Sequence, residues 1–356
     1  MTSTQTELPH RLQQLKNAYL QVKPSIVIHR ALAYTEVARD FPHLPKDLQR
    51  AKGFRRACET APILIQDHEL IVGHPCGKAR AGAFSPDTAW QWVRDELDTI
   101  ATREQAPYFI SDEDKRTMRE QIFPFWDGKS VAEACEKQLR KAGIWEFGAE
   151  ACISDLTYHV FSGGGDTSPG YDIILFKKGI LGIKAEAESH LAAISSADSD
   201  KQSISFYQAA IECCEGILTY AGRISNHART LASQEQDPQR RAELETIADI
   251  NARVPAHPPQ TFHEALQAIW TIQSLFLLEE NQCSTSLGRL DQYAWPCYLA
   301  DKQSGRLSEQ QALELMGSFI IKCSEMIWYT PEATATYFAG YMPFLNLCVG
   351  GVNVMV

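Results

Sequence analysis

The chain has 356 residues, 44% hydrophobic and 22% charged, which is apolar enough for a substantial core in one large domain or two ordinary ones and rules against disorder. Lys and Arg total 34 against 44 Asp and Glu, a formal charge of −10 without a long basic run, so nucleic acid is a poor partner. No apolar run reaches the roughly 18 residues of a membrane span, and the N-terminus Met1-Thr2-Ser3-Thr4-Gln5-Thr6 lacks the charged-then-apolar order of a signal peptide, so a soluble cytoplasmic protein is expected.

Helix signals dominate the chain. Leu8, Leu12, Leu15 and Tyr19 mark one face of a helix over 8–22, and a second helix follows over about 45–60. The period then changes: Ile63-Leu64-Ile65 and Leu70-Ile71-Val72 flank a polar turn at Asp67-His68, which predicts a short hairpin before the loop Gly73-His74-Pro75-Cys76-Gly77. Ser85-Pro86 reads as a cap and first-turn proline, and Trp90, Val93, Leu97 and Ile100 continue at helical spacing as a core stripe.

Capping boxes recur at Ser111 with Asp114, Ser130 with Glu133, Thr261 with Glu264 and Ser308 with Gln311, each ahead of an amphipathic run. The longest helical pattern covers most of 205–235, and Asp237-Pro238 starts another helix. From Ala312 the positions Leu313, Met316, Phe319, Ile320, Cys323 and Ile327 trace one face of a further long helix, after which Leu345 to Val349 reads as a buried strand. Ser195 to Ser203 is an exposed-loop candidate, and the Pro-rich segment 254–259 marks a turn; neither cut leaves independent cores. There is no internal repeat.

Ten cysteines include no C-x-x-C pair, so zinc and thioredoxin-like readings fail, and reduced, buried thiols are expected. A nucleophile elbow, a P-loop, a dinucleotide-binding G-x-G-x-x-G and an H-E-x-x-H helix are all missing. The stretch from Tyr158 to Asp172 is more telling. Its three glycines, Gly163 to Gly165, strip side chains from a turn, so backbone can approach a ligand and Asp166 can stand at its rim; a plain turn is the alternative. His159 beside Tyr158 could act as acid or base, or as a satisfied structural donor.

A second small-and-aromatic segment runs from Tyr337 to Phe344. Rings together with a carboxylate suit a cation, because a quaternary ammonium donates no conventional hydrogen bond and is held by ring faces and Coulomb attraction. Phe338, Tyr341 and Phe344 filling the core is the other reading.

These segments resemble a known family. Gly73-His74-Pro75-Cys76-Gly77-Lys78, Arg80 to Asp87, the Tyr158 to Asp172 loop, Glu279-Glu280-Asn281-Gln282, Gly288-Arg289-Leu290-Asp291-Gln292-Tyr293 and Phe338-Ala339-Gly340-Tyr341 look like glycyl radical enzymes. The G-R-x-D-Q-Y element is shared across the family. The GGGD loop and the GHPCGK segment point toward the choline-cleaving branch, choline trimethylamine-lyase, and the likeness runs from the first helices to about Gly351.

The resemblance implies an α/β, predominantly helical fold: the N-terminal part of a ten-stranded β/α barrel, supplying helical wrapping and early half-barrel strands. It makes 1–356 the N-terminal portion of a pyruvate formate-lyase-like domain, with the C-terminal glycyl radical domain absent and an ending, Val352 to Val356, that leaves the family pattern as a frameshift, premature stop or split gene would. The thiyl-forming cysteine, its neighbouring acid base and the radical glycine belong to that absent portion, so no residue here is assigned a catalytic role. Tyr158 and Asp166 are implied as walls around choline's trimethylammonium, with Phe344 on the aromatic side. Choline cleavage to trimethylamine and acetaldehyde is the implied reaction of the intact enzyme. No cofactor binds this portion directly; the radical is installed by a radical S-adenosylmethionine activating enzyme. A homodimer at full length, a cytoplasmic or bacterial-microcompartment location, and an inactive, poorly stable isolated chain complete the expectations. The alternatives are a diol dehydratase of the same family, a noncatalytic module that retains choline contacts or mates with a separately encoded half, and a nonfunctional truncation product.

Overall fold

The structure, a computed structural model, describes residues 8–145, 163–167, 169–194, 201–338, 340–341 and 344–350. Short strands, parallel throughout the described residues, are enclosed by helices. β1 (Ser25–Val27) pairs with β2 (Ala81–Ala83), and parallel bridges extend the pair from Ser25 to Phe109 and from Ala81 to Met326. β3 (Gly164–Thr167) pairs with β4 (Asn281–Thr285), with a bulge between Gly165 and Asp166.

Strands of three to five residues share few ladder bonds, so side-chain amides finish the pairing. Buried Asn281 donates from Nδ2 to the Tyr329 carbonyl at 2.7 Å and accepts at Oδ1 from the Tyr329 N–H at 3.2 Å. A primary amide carries donor and acceptor side by side, as a strand residue does, so Asn281 joins β4 to the 326–329 segment. Gly82 lies against that same segment, where a Cβ would stand 2.7 Å from the Ile327 carbonyl oxygen.

The principal helices are α1 (His10–Gln21), α2 (His29–Asp40), α3 (Lys46–Thr60), α4 (Val131–Lys141), α5 (Leu175–Ala193), α6 (Lys201–Gln234), α7 (Pro238–Arg253), α8 (Phe262–Glu279), α9 (Trp295–Gln303) and α10 (Glu309–Ser324). The boxes at Ser130, Thr261 and Ser308 form in full, and Ser111 caps through the Asp114 N–H. α6 packs its stripe of Cys214, Tyr220, Ile224 and Ala228 onto α3, α5 and α7. α8 is apolar nearly all round and is correspondingly buried, with Leu266, Ile269, Trp270, Leu277 and Leu278 closed to solvent. One core reaches from Ile26 to Ala335, which agrees with the lack of a domain cut in the sequence.

Three expectations change. The hairpin over 63–72 is a turn without strands: Ile71 and Val72 are fully buried, and Val72 pairs its N–H and C=O with the Gln267 amide at 2.9 and 3.0 Å. Ser85-Pro86 forms a turn, and the helix starts later, over Gln91–Glu96, although Trp90, Val93, Leu97 and Ile100 are buried as the stripe implies. Leu345 to Val349 is not a buried strand: Val349 is 73% exposed, and the segment makes a single bridge, Leu347 to Gly288. Leu345 packs half-buried against the core, but Leu347 and Val349 turn to solvent.

The C-terminus of α8 ends in a buried ionic lock. Arg30 makes a bidentate pair with Asp87 at 2.6 and 3.1 Å and donates from Nε to the Leu278 carbonyl at 2.9 Å. Arg50 bridges Asp87 at 3.0 Å and Glu279 at 2.6 Å, while Tyr34 donates to the Leu278 carbonyl at 3.0 Å. Cations and donors here satisfy carbonyls that a helix end leaves unpaired. Burial is the largest influence and opposes the Arg30 charge, but the Asp87 charge and hydrogen bond together with Tyr34 overcome it and raise the guanidinium above its ordinary value. Replacing Arg30 with Met leaves Asp87 to Arg50 alone and the Leu278 carbonyl to Tyr34 alone, so a loss approaching that of a broken buried pair, about 3–5 kcal/mol, is expected, read as a lower urea midpoint; an unchanged midpoint would show the lock to be dispensable.

Candidate functional site

The site grows from the 281–288 run. Gly163 enters β3 with φ +80°, but Gly164 and Gly165 lie within the strand, so the triple glycine is one left-handed residue followed by extended backbone. Past the bulge, Asp166 registers with Ser284 and Thr167 with Thr285. A bulge shifts which residues face one another, and here it decides that Asp166 is level with Ser284 rather than Cys283. Ser284 is half-buried between the buried Cys283 and Thr285. Beyond β4 the Leu287 N–H bonds to the Asn346 carbonyl at 2.9 Å and the Cys348 N–H to the Gly288 carbonyl at 2.9 Å. The Asp166 strand and the segment after Phe344 therefore hydrogen-bond to one strand run, a meeting that the sequence could not reveal.

Phe344 itself joins a ring cluster. Its centroid lies 5.7 Å from Trp328 and 5.4 Å from Phe338, and Trp328 stands 6.0 Å from Phe338, all edge-to-face. Trp328 is buried, whereas Phe344 is 40% and Phe338 43% exposed. Tyr341 lies apart from this trio, edge-to-face with Tyr108 at 5.7 Å and with the Arg80 guanidinium over its ring at 5.4 Å. Neither plain core filling nor a closed box describes the cluster: it joins one buried ring, Trp328, to two half-open ones, Phe338 and Phe344. Tyr158 and His159 lie outside the described residues, and Asp166 is placed by its strand register alone.

Two motifs prove to be scaffolding. In the G-R-x-D-Q-Y element Arg289 donates to the Gly350 carbonyl at 2.9 Å, Asp291 accepts the Gly350 N–H at 2.8 Å, and the Tyr293 hydroxyl donates to the Leu287 carbonyl at 2.7 Å, which clamps 287–293 against residue 350. In the GHPCGK segment His74 is fully buried. Its Nδ1 accepts from the Cys76 N–H at 3.3 Å, so Nε2 carries the proton and faces the Glu325 carbonyl, also at 3.3 Å. Burial and then the Lys322 charge lower the imidazole to about 3, which keeps it neutral.

Lys322 lies beside it, buried with Glu69 and Glu325, and its Nζ reaches Glu325 at 2.7 Å. Two carboxylates share one ammonium here. Burial first, and the Glu69 charge next, push Glu325 up to about 7 against the pull of Lys322. Nine free thiols lie among the described residues, most of them buried; burial moves Cys213 up to about 12 and Cys214 to about 11, as inert packing cysteines require. Among the described residues no group of three His, Cys, Asp or Glu could hold a metal, and no helix is long and apolar enough to cross a membrane.

Sequence reasoning missed Asn281 as a joint, Ser284 as the register partner of Asp166, and Trp328. The run Ile327-Trp328-Tyr329-Thr330 carries a strand-like signal that the helical stripe ending at Ile327 obscured.

Parallel segments inside a helical coat, with the 281–288 run at the junction, define the class. The chain belongs to the pyruvate formate lyase-like family, whose pattern matches residues 2–355. It is 31% identical to isethionate sulfite-lyase of Nitratidesulfovibrio vulgaris over 96% of this chain and 42% of that protein. Among solved structures it resembles a Roseburia inulinivorans protein described for 1,2-propanediol dehydration, with TM-score 0.91, 29% identity, and coverage of 99% of this chain and 42% of that one. It also resembles the glycerol-bound B12-independent glycerol dehydratase of Clostridium butyricum, with TM-score 0.90, 31% identity, and coverage of 99% and 44%. The chain thus spans about two fifths of the length of these relatives, and its helical barrel portion is that of glycyl radical enzymes.

The buried carboxylate pair makes a prediction. Because the folded state holds Glu325 near 7 against an ordinary 4.5, it keeps a proton that the unfolded chain releases, and this group's stabilisation is lost as pH rises from about 4.5 through 7. Glu325→Gln removes that loss. Its urea stability relative to the parent should rise with pH across this window, by at most about 1.4 kcal/mol per unit, and level off above it. The neighbouring histidines titrate in the opposite sense in both proteins and largely cancel; a pH-independent difference would place Glu325 in the ordinary carboxylate range.

Proposed function

We propose that this chain forms one wall of the substrate chamber of a glycyl radical lyase that expels a leaving group from the carbon next to a hydroxyl-bearing carbon. The relatives' names describe loss of sulfite or water from small hydroxylated compounds. The observation that carries the proposal is the β3–β4 register, with Asp166 level with Ser284 at the end of a parallel pair. A carboxylate and a hydroxyl at one level can receive and orient the hydroxyls of a vicinal diol, and parallel-strand ends are where such folds bind ligands. In the intact enzyme the radical on the glycine, installed by a radical S-adenosylmethionine activating enzyme, supplies hydrogen abstraction through a cysteine thiyl. The residues here bind, orient and exclude water.

A second reading, choline trimethylamine-lyase, is favoured by one observation: the Trp328, Phe338 and Phe344 rings gather where a methylated ammonium could rest. In that reading Tyr158, Asp166 and Phe344 surround the cation and trimethylamine leaves. The anaerobically activated full-length protein distinguishes the two. Supplied with 1,2-propanediol, glycerol, isethionate and choline, it is expected to release aldehyde from a diol and no trimethylamine. Trimethylamine release would transfer the assignment to the second reading, and no elimination product from any of the four would sink both. Asp166→Asn should lower kcat/KM at least tenfold on the accepted substrate with an unchanged melting temperature; full activity would remove Asp166 from the site.

A further inference from the structure

Three cations meet where the parallel pair β1–β2 begins. The Ser25 N–H bonds to the Arg80 carbonyl at 3.1 Å and the Phe109 N–H to the Pro24 carbonyl at 2.8 Å, which brings Lys23, the Lys78-Ala79-Arg80 run and Phe109 to one end of the strands. Lys23 and Lys78 are exposed, and Phe109 is 44% exposed. Arg80 sits at φ +56°, a left-handed conformation that costs a non-glycine residue energy, and the Ser25 bond fixes it there.

The guanidinium of Arg80 is held in place but mostly unused. It lies over the Tyr19 ring at 4.7 Å and the Tyr341 ring at 5.4 Å, and Nη1 donates to the Val22 carbonyl at 3.1 Å. Closing the end of α1 explains that one bond out of the five N–H donors an arginine carries. Nη2 makes no hydrogen bond and, unlike the enclosed Nε, stays open to solvent. Lys78 Nζ stands 5.8 Å over the Phe109 ring. Among the described residues no carboxylate pairs with Arg80, Lys78 or Lys23, although the chain has 44 Asp and Glu against 34 Lys and Arg; nearby Arg103 is matched by Glu96 at 2.6 Å. The field at Tyr341 agrees: burial raises its phenol, and both charges that act against that rise, Arg80 and then Arg103, are cations.

We infer that this end of the β1–β2 pair binds a phosphate monoester, its phosphoryl oxygens toward Arg80 Nη2 and the Lys78 ammonium and its organic part against the exposed Phe109 ring. A phosphoryl group brings about two negative charges at neutral pH and three strong acceptor oxygens. An arginine already aimed by two rings and a carbonyl forks onto such oxygens with little ordering left to do, and a lysine adds a point charge. A monoanion would leave part of the positive field unmatched, and a cation would be repelled by it. The site belongs to the β1–β2 pair, not to the β3–β4 register on which the proposed reaction rests.

Phenyl phosphate, inorganic phosphate and benzoate, titrated into the 356-residue protein slightly above neutral pH at fixed ionic strength and followed by calorimetry, test the assignment. Saturable binding of phenyl phosphate is expected, at least tenfold tighter than that of benzoate, which has the ring but a single charge. Inorganic phosphate separates the two sources of the group: weaker binding upholds the ester, whereas equal binding would leave the phosphoryl site standing with the free ion as its ligand and Phe109 outside it. Arg80→Gln should weaken phenyl phosphate at least tenfold. Lys78→Glu, at an exposed position, should do the same and decides the matter where Arg80→Gln fails to fold. Lys177→Glu makes an identical charge change at an exposed position of α5 and should leave binding unchanged. No saturable binding of either phosphate, benzoate as tight as phenyl phosphate, or equal losses in Lys177→Glu and Lys78→Glu would each overturn the assignment.

Discussion

The fold depends on a guanidinium that has no route to water. Arg30 stands on the first turn after β1, Asp87 four residues after β2, and the carbonyls of Leu278 and Glu279 just ahead of β4, so one side chain fixes three chain segments that carry the strands. Stacking over the Tyr34 ring, 3.8 Å from its centroid, adds a fourth contact. A buried charge is tolerated only when nearly every hydrogen-bonding direction is used. That requirement is also why the arrangement specifies geometry: a shift of any partner by an ångström would leave a charge or a carbonyl bare.

Short strands pose the complementary problem. Three-residue strands hold each other weakly, and the structure answers with primary amides: Asn281 against Tyr329 and Gln267 against Val72. These amides behave as pieces of backbone supplied from the side. They let helix α8 and the strand after it connect to neighbours that are far away in sequence, and they leave the 281–288 run rigid enough to serve as a common edge for the Asp166 strand and the segment after Phe344. Polar residues in a core usually advertise chemistry. Here Asn281, Gln267, Arg30 and His74 are architecture, whereas Ser284, Phe338 and Phe344 stand half-open beside them.

The motifs that carried the family likeness divide the same way. The GHPCGK segment pointed toward a substrate class in sequence, yet His74 is neutral, enclosed and bonded to backbone on both ring nitrogens. The G-R-x-D-Q-Y element holds Gly350. Both hold backbone in place, through buried His74 in one and through Arg289 and Asp291 in the other, so neither by itself points to a substrate. The relatives' sulfite and water leaving groups accord with that.

Local rules determined a great deal from sequence: the caps at Ser130, Thr261 and Ser308, the stripe Trp90, Val93, Leu97 and Ile100, the length of α6 and the inert cysteines all follow from interactions within a few residues of one another. Composition and the ordered motifs also set the fold class. The joints came only with tertiary structure. Asn281 and Tyr329 are 48 residues apart, Arg30 and Leu278 are 248 apart, and the bulge that sets Asp166 level with Ser284 is a property of two paired strands rather than of either. The hairpin at 63–72 and the strand at 345–349 misled for the same reason: a short apolar run states that it seeks burial or pairing, and the partner that chain folding brings alongside decides whether it finds either.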